Sequence, residues 1–167
     1  YGNMGRGVAK RLQGFGCKTI AFDKYLEIWP DNYAVKVDFK TLVSESDILS
    51  LHVPLTKETE GWVNADFIKL FKRGLFLINT SRGAVVDLES VSGLLEIGVL
   101  SGIALDVLEQ EPPTKKNIDI PSKYKILFQS EKVILTPHIA GWSLESYVKI
   151  SEVLAMKIIH CFSHVKR

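Results

Sequence analysis

Cysteine is scarce in this 167-residue sequence: Cys17 and Cys161 are the only two, and they lie far apart. Neither a disulfide scaffold nor a metal site of paired thiolates is expected, and the two read as buried thiols in a reducing compartment. No stretch approaches the ~20 consecutive apolar residues of a spanning helix, and no charged segment leads into an apolar one at the N-terminus. The chain therefore reads as soluble and cytoplasmic. An excess of one charge is also missing: 21 basic against 19 acidic side chains leave a net +2. Without a dense basic run, nucleic acid is a poor main partner and a polybasic membrane anchor is not expected. Internal repeats and low-complexity segments are absent. What remains, 46% apolar, 10% aromatic and 24% charged residues, is the composition of one ordinary globular domain. A chain of this length typically buries roughly 68–70% of its unfolded surface, enough for a core with a sheltered pocket.

The start of the sequence, Tyr1-Gly2-Asn3-Met4-Gly5, reads as the tail of a G-x-G-x-x-G motif whose first glycine would precede Tyr1. The sequence is thus expected to be a piece of a longer chain. In that motif glycines permit a tight turn and close backbone approach to a pyrophosphate, and the helix N-terminus supplies N–H groups to the anion. A turn before a helix is the plainer reading of the glycines alone. Three features add to them. Met4, Val8, Leu12 and Phe15 recur at helical spacing, Gly14 and Gly16 close the helix, and Lys18 to Asp23 reads as a strand ending on an acid. Asp23 stands 21 residues after Gly2, near the ~20 of a carboxylate that holds the adenosine ribose hydroxyls. It would favour NAD over NADP by repelling a 2′-phosphate, its alternative being a polar strand end.

The remainder alternates in the manner of an α/β fold. Tyr33, Val35 and Val37 mark a short strand, residues 39–46 a short helix, and residues 47–52 a strand closed by Val53-Pro54. Asn64 caps a helix carrying Phe67, Ile68, Leu70 and Phe71 and ending at Lys72-Arg73-Gly74. Residues 75–79 form the next strand, and Asp87 caps a helix with Val91, Leu94 and Leu95 that stops near Gly98. Residues 102–106 and 133–135 are the last strands, and Ser143 opens a helix to about Phe162, with Tyr147, Leu154 and Ile158 on one side. Residues 108–132, with Pro112, Pro113 and Pro121, are expected to be irregular. Such alternation predicts a parallel sheet covered on both faces, with ligands at the carboxyl ends of the strands.

Polar residues at those ends carry the chemistry. Thr80-Ser81-Arg82-Gly83 follows one strand, Asp106 and Glu111 the next, and His138 the last. Singly, Arg82 reads as a surface residue in a glycine turn, Glu111 as a solvated loop acid and His138 as a cap after Pro137. Together with a dinucleotide site they are coherent. Hydride transfer at an alcohol carbon needs a base for the hydroxyl proton, which histidine, with an ordinary pKa near ~6.5, accepts and returns near neutral pH. A neighbouring carboxylate favours the imidazolium, and an arginine fork matches a substrate carboxylate.

Residues 51–64 (LHVPLTKETEGWVN), 77–87 (LINTSRGAVVD), 102–112 (GIALDVLEQEP) and 134–141 (ILTPHIAG) resemble the signature segments of the D-isomer-specific 2-hydroxyacid dehydrogenases, in the family's order and along nearly the whole chain. Within the family the nearest likeness is to phosphoglycerate dehydrogenases of bacterial type, which implies 3-phosphoglycerate as substrate and serine biosynthesis as setting. The resemblance implies a Rossmann-type doubly wound parallel sheet, NAD as cofactor and a homodimer. It implies that Arg82 orients the substrate, His138 is the acid/base and Glu111 its partner. Asp106 would bond the nicotinamide carboxamide, while Asn3, Met4, Asp23, Val53, Pro54, Thr80, Ser81 and Gly141 line the rest of the cofactor site beside Gly2 and Gly5. His52 is read as structural, and His160 and His164 as surface residues.

The likeness also implies that the family's first strand and most of a separate substrate domain lie outside the sequence. Residues 1–141 are then the NAD-binding domain and 142–167 a helix returning toward the substrate domain. The segment from Glu111 to His138 is longer and more basic than usual for the family, with Lys115, Lys116, Lys123 and Lys125. Two other readings use the same residues. An NAD-sensing regulator resembling the C-terminal-binding-protein corepressors keeps the three polar residues, whereas a methyltransferase leaves Arg82, Glu111 and His138 without a role.

Overall fold

The computed structural model describes residues 1–109 and 125–163, with the backbone only at residue 126. Two compact units are distinguished, Tyr1–Pro137 and His138–Arg167.

In the first unit the glycines open helix α1 (Asn3–Leu12), which passes into a single 3₁₀ turn, Gln13–Phe15, and stops at Gly16 with φ 66°. The positive φ is what glycine provides at a helix end. Strand β1 (Ile20–Ala21) pairs in parallel with β2 (Val35–Lys36). Helix α2 (Phe39–Glu45) starts on Asp38, whose carboxylate accepts from Thr41 N at 2.7 Å. Strand β3 (Ile48–Leu51) leads to α3 (Ala65–Lys69), capped by Asn64 through Phe67 N at 3.0 Å. Strand β4 (Leu75–Asn79) leads to α4 (Leu88–Glu96), capped by Asp87 through Ser90 N at 3.2 Å. Strand β5 (Leu100–Leu105), the short helix α5 (Lys125–Gln129) and β6 (Val133–Leu135) complete the unit.

Strands β3-β4-β5-β6 form one wholly parallel sheet in chain order. Its register sets two faces. Leu49, Leu77 and Ile103 align on one face with Leu51, Asn79 and Leu105, and all six are buried. Helix α4 packs on β5 and against α3, bringing Val91, Leu94, Leu95, Phe67 and Ile68 into the same core. On the other face Ile48, Phe76 and Ile134 remain exposed, so burial alternates where continuous burial on both faces was expected. The smaller sheet is tied in by aromatic contacts. Phe39 meets Phe22 at 5.7 Å and Phe67 at 5.8 Å between ring centroids, and Phe67 touches Phe71 at 5.4 Å.

Three local expectations change. The strand over residues 18–23 shrinks to two residues because Asp23 Oδ1 accepts from Tyr25 N and Leu26 N, at 2.9 and 3.0 Å. That local turn competes with the ladder. Within 108–132, where irregular structure was expected, Lys125–Gln129 form helix α5; Pro112, Pro113 and Pro121 all precede it and do not interrupt it. Its Leu127 is 1% exposed. Both cysteines are exposed rather than buried: Cys17 follows the chain-reversing Gly16, and Cys161 lies on a helix without buried residues. On α1 the buried positions are Gly5 and Ala9, while Met4 and Phe15 of the apolar series are exposed.

The second unit is built around α6 (Leu144–Ser163), whose first turn is held by Ser146 N donating to Ser143 Oγ at 3.0 Å. Among the described residues no helix is long and apolar enough to cross a membrane.

One contact fixes how the loops after β4 and β5 meet. A β-carbon at Gly83 would lie 1.9 Å from the Leu108 carbonyl oxygen and 2.5 Å from Glu109 N, and Glu109 Oε1 accepts from Leu88 N at 2.7 Å. Gly83→Ala in the full-length protein should therefore cost at least the ~1–3 kcal/mol of an overpacked site. Urea unfolding measures this as a lower midpoint at unchanged slope.

Candidate functional site

Parallel strands end on the same edge of their sheet, so the residues following them gather there. His52 to Pro54 follow β3, Thr80 to Arg82 follow β4, Asp106 follows β5 and Thr136 follows β6, while Asp23 follows β1 of the smaller sheet.

At the start of α1, Gly2 is the N-cap without a side-chain cap, and the first turn holds no acidic residue. Its N–H groups, which have no intrahelical partner, keep their attraction for an anion. Space beside Gly2 is open, with nothing within 4 Å of where a β-carbon would stand. At Gly5 a β-carbon would lie 3.5 Å from His52 Cβ, so the helix lies close over the end of β3. Asn3 and Met4 are exposed.

Asp23 is partly buried, and its Oδ2 accepts from Tyr1 N at 2.5 Å. Its Oδ1 accepts from Tyr25 N and Leu26 N, at 2.9 and 3.0 Å. This ionised acceptor near the start of α1 suits sugar hydroxyls and opposes a phosphate. An anion-attracting helix start and an acceptor carboxylate together fit the pyrophosphate and ribose of a dinucleotide. Asp31, unremarked in the sequence, braces this corner by accepting from Tyr1 OH at 2.6 Å and from Arg6 Nε at 2.7 Å.

His52 is half-buried, with Nε2 3.0 Å from Ser50 Oγ. Burial lowers its pKa below the ordinary value, which agrees with a structural histidine. Val53 is half-buried against the core, and the Pro54 carbonyl accepts from Thr59 Oγ1 at 2.7 Å.

The turn after β4 is the most heavily bonded part of the edge. Asn79, 0% exposed, accepts at Oδ1 from Ser81 N at 3.0 Å and Ser81 Oγ at 2.8 Å, and donates from Nδ2 to the Arg82 carbonyl at 3.0 Å. Arg82 is exposed, and its Nη1 donates to the Ser81 carbonyl at 2.7 Å. Thr80 is exposed beside it. On the neighbouring strand Asp106 is 4% exposed; its Oδ1 accepts from Thr136 Oγ1 at 2.5 Å and its N–H donates to the Asn79 carbonyl at 3.0 Å. Sequence reasoning passed over Asn79 and Glu109. The signal for the first was a polar residue closing an apolar strand, and for the second an extra acid in VLEQEP.

Glu111 and His164 lie outside the described residues. His138 opens the second unit, exposed and in the left-handed region at φ 54°. In that unit the Gly141 carbonyl accepts from Ser146 Oγ at 3.0 Å, and His160 is exposed on α6.

Residues 1–140 match the family described as "D-isomer specific 2-hydroxyacid dehydrogenase, NAD binding domain". A glyoxylate reductase of Thermococcus litoralis is 40% identical over 161 residues, 95% of this chain and 46% of that protein. A hydroxypyruvate reductase of Thermotoga maritima is 39% identical over 160 residues, 95% of this chain and 49% of that protein. The chain thus spans about half the length of the curated relatives it matches. Among solved structures, a D-isomer specific 2-hydroxyacid dehydrogenase from Lactobacillus delbrueckii ssp. bulgaricus in its NAD-complexed form superposes with a TM-score of 0.88 at 29% identity, covering 99% of this chain and 52% of that one. These names support the family without singling out phosphoglycerate dehydrogenase. The Rossmann-type parallel sheet, the helix start beside Asp23 and the sequence match agree: the chain belongs to the D-isomer-specific 2-hydroxyacid dehydrogenases, as an NAD-binding domain.

Proposed function

We propose that the full-length protein is a dehydrogenase catalysing 2-oxo acid + NADH + H⁺ ⇌ D-2-hydroxy acid + NAD⁺. The observation that carries this reading is the Ser81–Arg82 turn, a guanidinium on a hydrogen-bonded turn at the carboxyl end of β4 in a domain of this family. Residues 1–141 serve as the NAD-binding domain, and residues 142–167 lead toward the rest of the protein.

Gly2, Asn3, Met4 and Gly5 receive the pyrophosphate and Asp23 accepts from the adenosine ribose hydroxyls. Val53, Pro54, Thr80, Ser81 and Gly141 line the cofactor, and Asp106 accepts from the nicotinamide carboxamide. NAD, when bound, supplies or accepts the hydride. Arg82 fixes the substrate carboxylate with two parallel N–H groups. His138 gives a proton to the carbonyl oxygen in reduction and takes it back in oxidation, and Glu111 favours its charged form. The relatives' names make glyoxylate and hydroxypyruvate the first acids to try, with the 2-oxo acid corresponding to 3-phosphoglycerate as a further candidate. A corepressor-type regulator finds no support in the relatives described above, which are named as reductases or dehydrogenases.

The full-length protein should reduce at least one of glyoxylate, hydroxypyruvate, pyruvate and 3-phosphohydroxypyruvate, with a higher kcat/KM for NADH than for NADPH. Asp23→Ala should narrow that preference. No turnover of any of the four contradicts the reading, and equal use of both cofactors removes Asp23 from it.

Reduction draws its proton from an imidazolium, whereas oxidation needs neutral imidazole. The kcat/KM of reduction should therefore fall as pH rises while that of oxidation rises. His138→Ala should lose on the order of 10²–10⁴-fold in kcat and still bind NADH, as titrated by fluorescence; full activity would exclude His138. The reading also carries a homodimer, which sedimentation of the full-length protein at micromolar concentration should show and monomer alone would contradict.

A further inference from the structure

We infer that Asn79 is a positioning residue for Arg82, setting the direction of the guanidinium by fixing the two peptide groups from which it projects. The inference rests on the role proposed for Arg82. Asn79 is the last residue of β4, wholly buried, and aligned in the sheet with Leu51 and Leu105. A side-chain amide is otherwise a poor choice for such a position, since a buried polar group costs free energy unless its bonds are made. Here both ends are used on the same turn. Oδ1 takes the Ser81 N–H and hydroxyl, and Nδ2 gives to the Arg82 carbonyl.

Donor and acceptor face opposite groups, so only a neutral amide satisfies both. A carboxylate of the same shape would set an oxygen against the Arg82 carbonyl oxygen. The turn is further confined at Gly83, where the Leu108 backbone leaves no room for a side chain. The Asn79 main-chain carbonyl meanwhile accepts from Asp106 N. One residue thus ties the arginine turn to the end of the neighbouring strand. If Asn79 acted only to stabilise the fold, its loss would be independent of what stands at position 82.

The test compares four full-length proteins: unmutated, Asn79→Asp, Arg82→Lys and the double variant. Oxamate, an unreactive carboxylate analogue of a 2-oxo acid, is titrated onto each NADH complex by NADH fluorescence. NADH affinity and Tm are measured alongside, with kcat and KM for glyoxylate. Asn79→Asp should weaken oxamate on the order of tenfold or more, the scale of a lost buried hydrogen bond that leaves its partner unsatisfied, with NADH affinity little changed. The double variant should bind oxamate no worse than Arg82→Lys alone, because the fork whose direction Asn79 sets is already gone. Losses that multiply, or an Asn79→Asp protein with unchanged oxamate affinity, would overturn the inference. Should Asn79→Asp fail to fold, Asn79→Ser takes its place in the same comparison. An unmutated protein that neither binds oxamate nor reduces any of the four acids contradicts the Arg82 reading itself, whereas binding with multiplicative losses overturns the role of Asn79 alone.

Discussion

The arrangement depends on one constraint, the parallel pairing of β3, β4, β5 and β6, whose only register shift lies at Leu75/Phe76, at the start of β4. Parallel pairing makes every strand finish at the same edge, and the buried face, from Leu49 through Leu77 to Ile103, prevents the register from slipping. A slip of one residue would expose Leu77 and bury Ile78 in its place, turning the core face to solvent. With that register fixed, the residue after each strand has a determined position. The distance between the arginine turn and Asp106 is then a property of the sheet rather than of the loops.

Polar groups at that edge are held by the core beneath them. Asn79 and Asp106 are both nearly inaccessible and both bonded, one to the Ser81–Arg82 turn and the other to Thr136 across to the end of β6. Ser92 and Ser46, the other buried polar residues described, bond back to the carbonyls of Leu88 and Leu42 within their own helices or caps. The contrast separates two uses of a buried polar side chain. The serines satisfy the backbone of their own helix or cap, whereas Asn79 holds the turn that follows it and Asp106 reaches between segments to Thr136.

Much of this was legible in the sequence, for identifiable reasons. Strands β4 and β6 and the starts of α3 and α4 follow from short apolar runs and from Asn64 and Asp87, because a cap and a run act within a few residues. The short β1 was not legible, since Asp23 turns the chain by accepting from Tyr25 and Leu26 backbone, which no periodicity records. Helix α5 was hidden by prolines that all precede it. Of the candidate site, Asp23, Arg82 and Asp106 were legible as polar residues at strand ends. Glu109 was not, because its partner Leu88 lies twenty-one residues away, and Asn79 was not, because its partners Ser81 and Arg82 form an irregular turn rather than a helix start.

Acidic residues illustrate how structural and chemical duties divide. Asp38 and Asp87 each accept from a backbone N–H at a helix start, and Glu109 does the same for α4 from a different loop. Such carboxylates are committed to fixed donors, and their value is geometric, worth typically 0.5–2 kcal/mol for a cap. Two acceptors converge on one helix start here: Asp87 serves Ser90 N and Glu109 serves Leu88 N. Because Glu109 lies beyond β5 while α4 follows β4, this second cap joins consecutive strand–helix connections. Together with the close approach at Gly83, the same helix cap that stabilises α4 therefore also holds the loop after β5 beside the arginine turn.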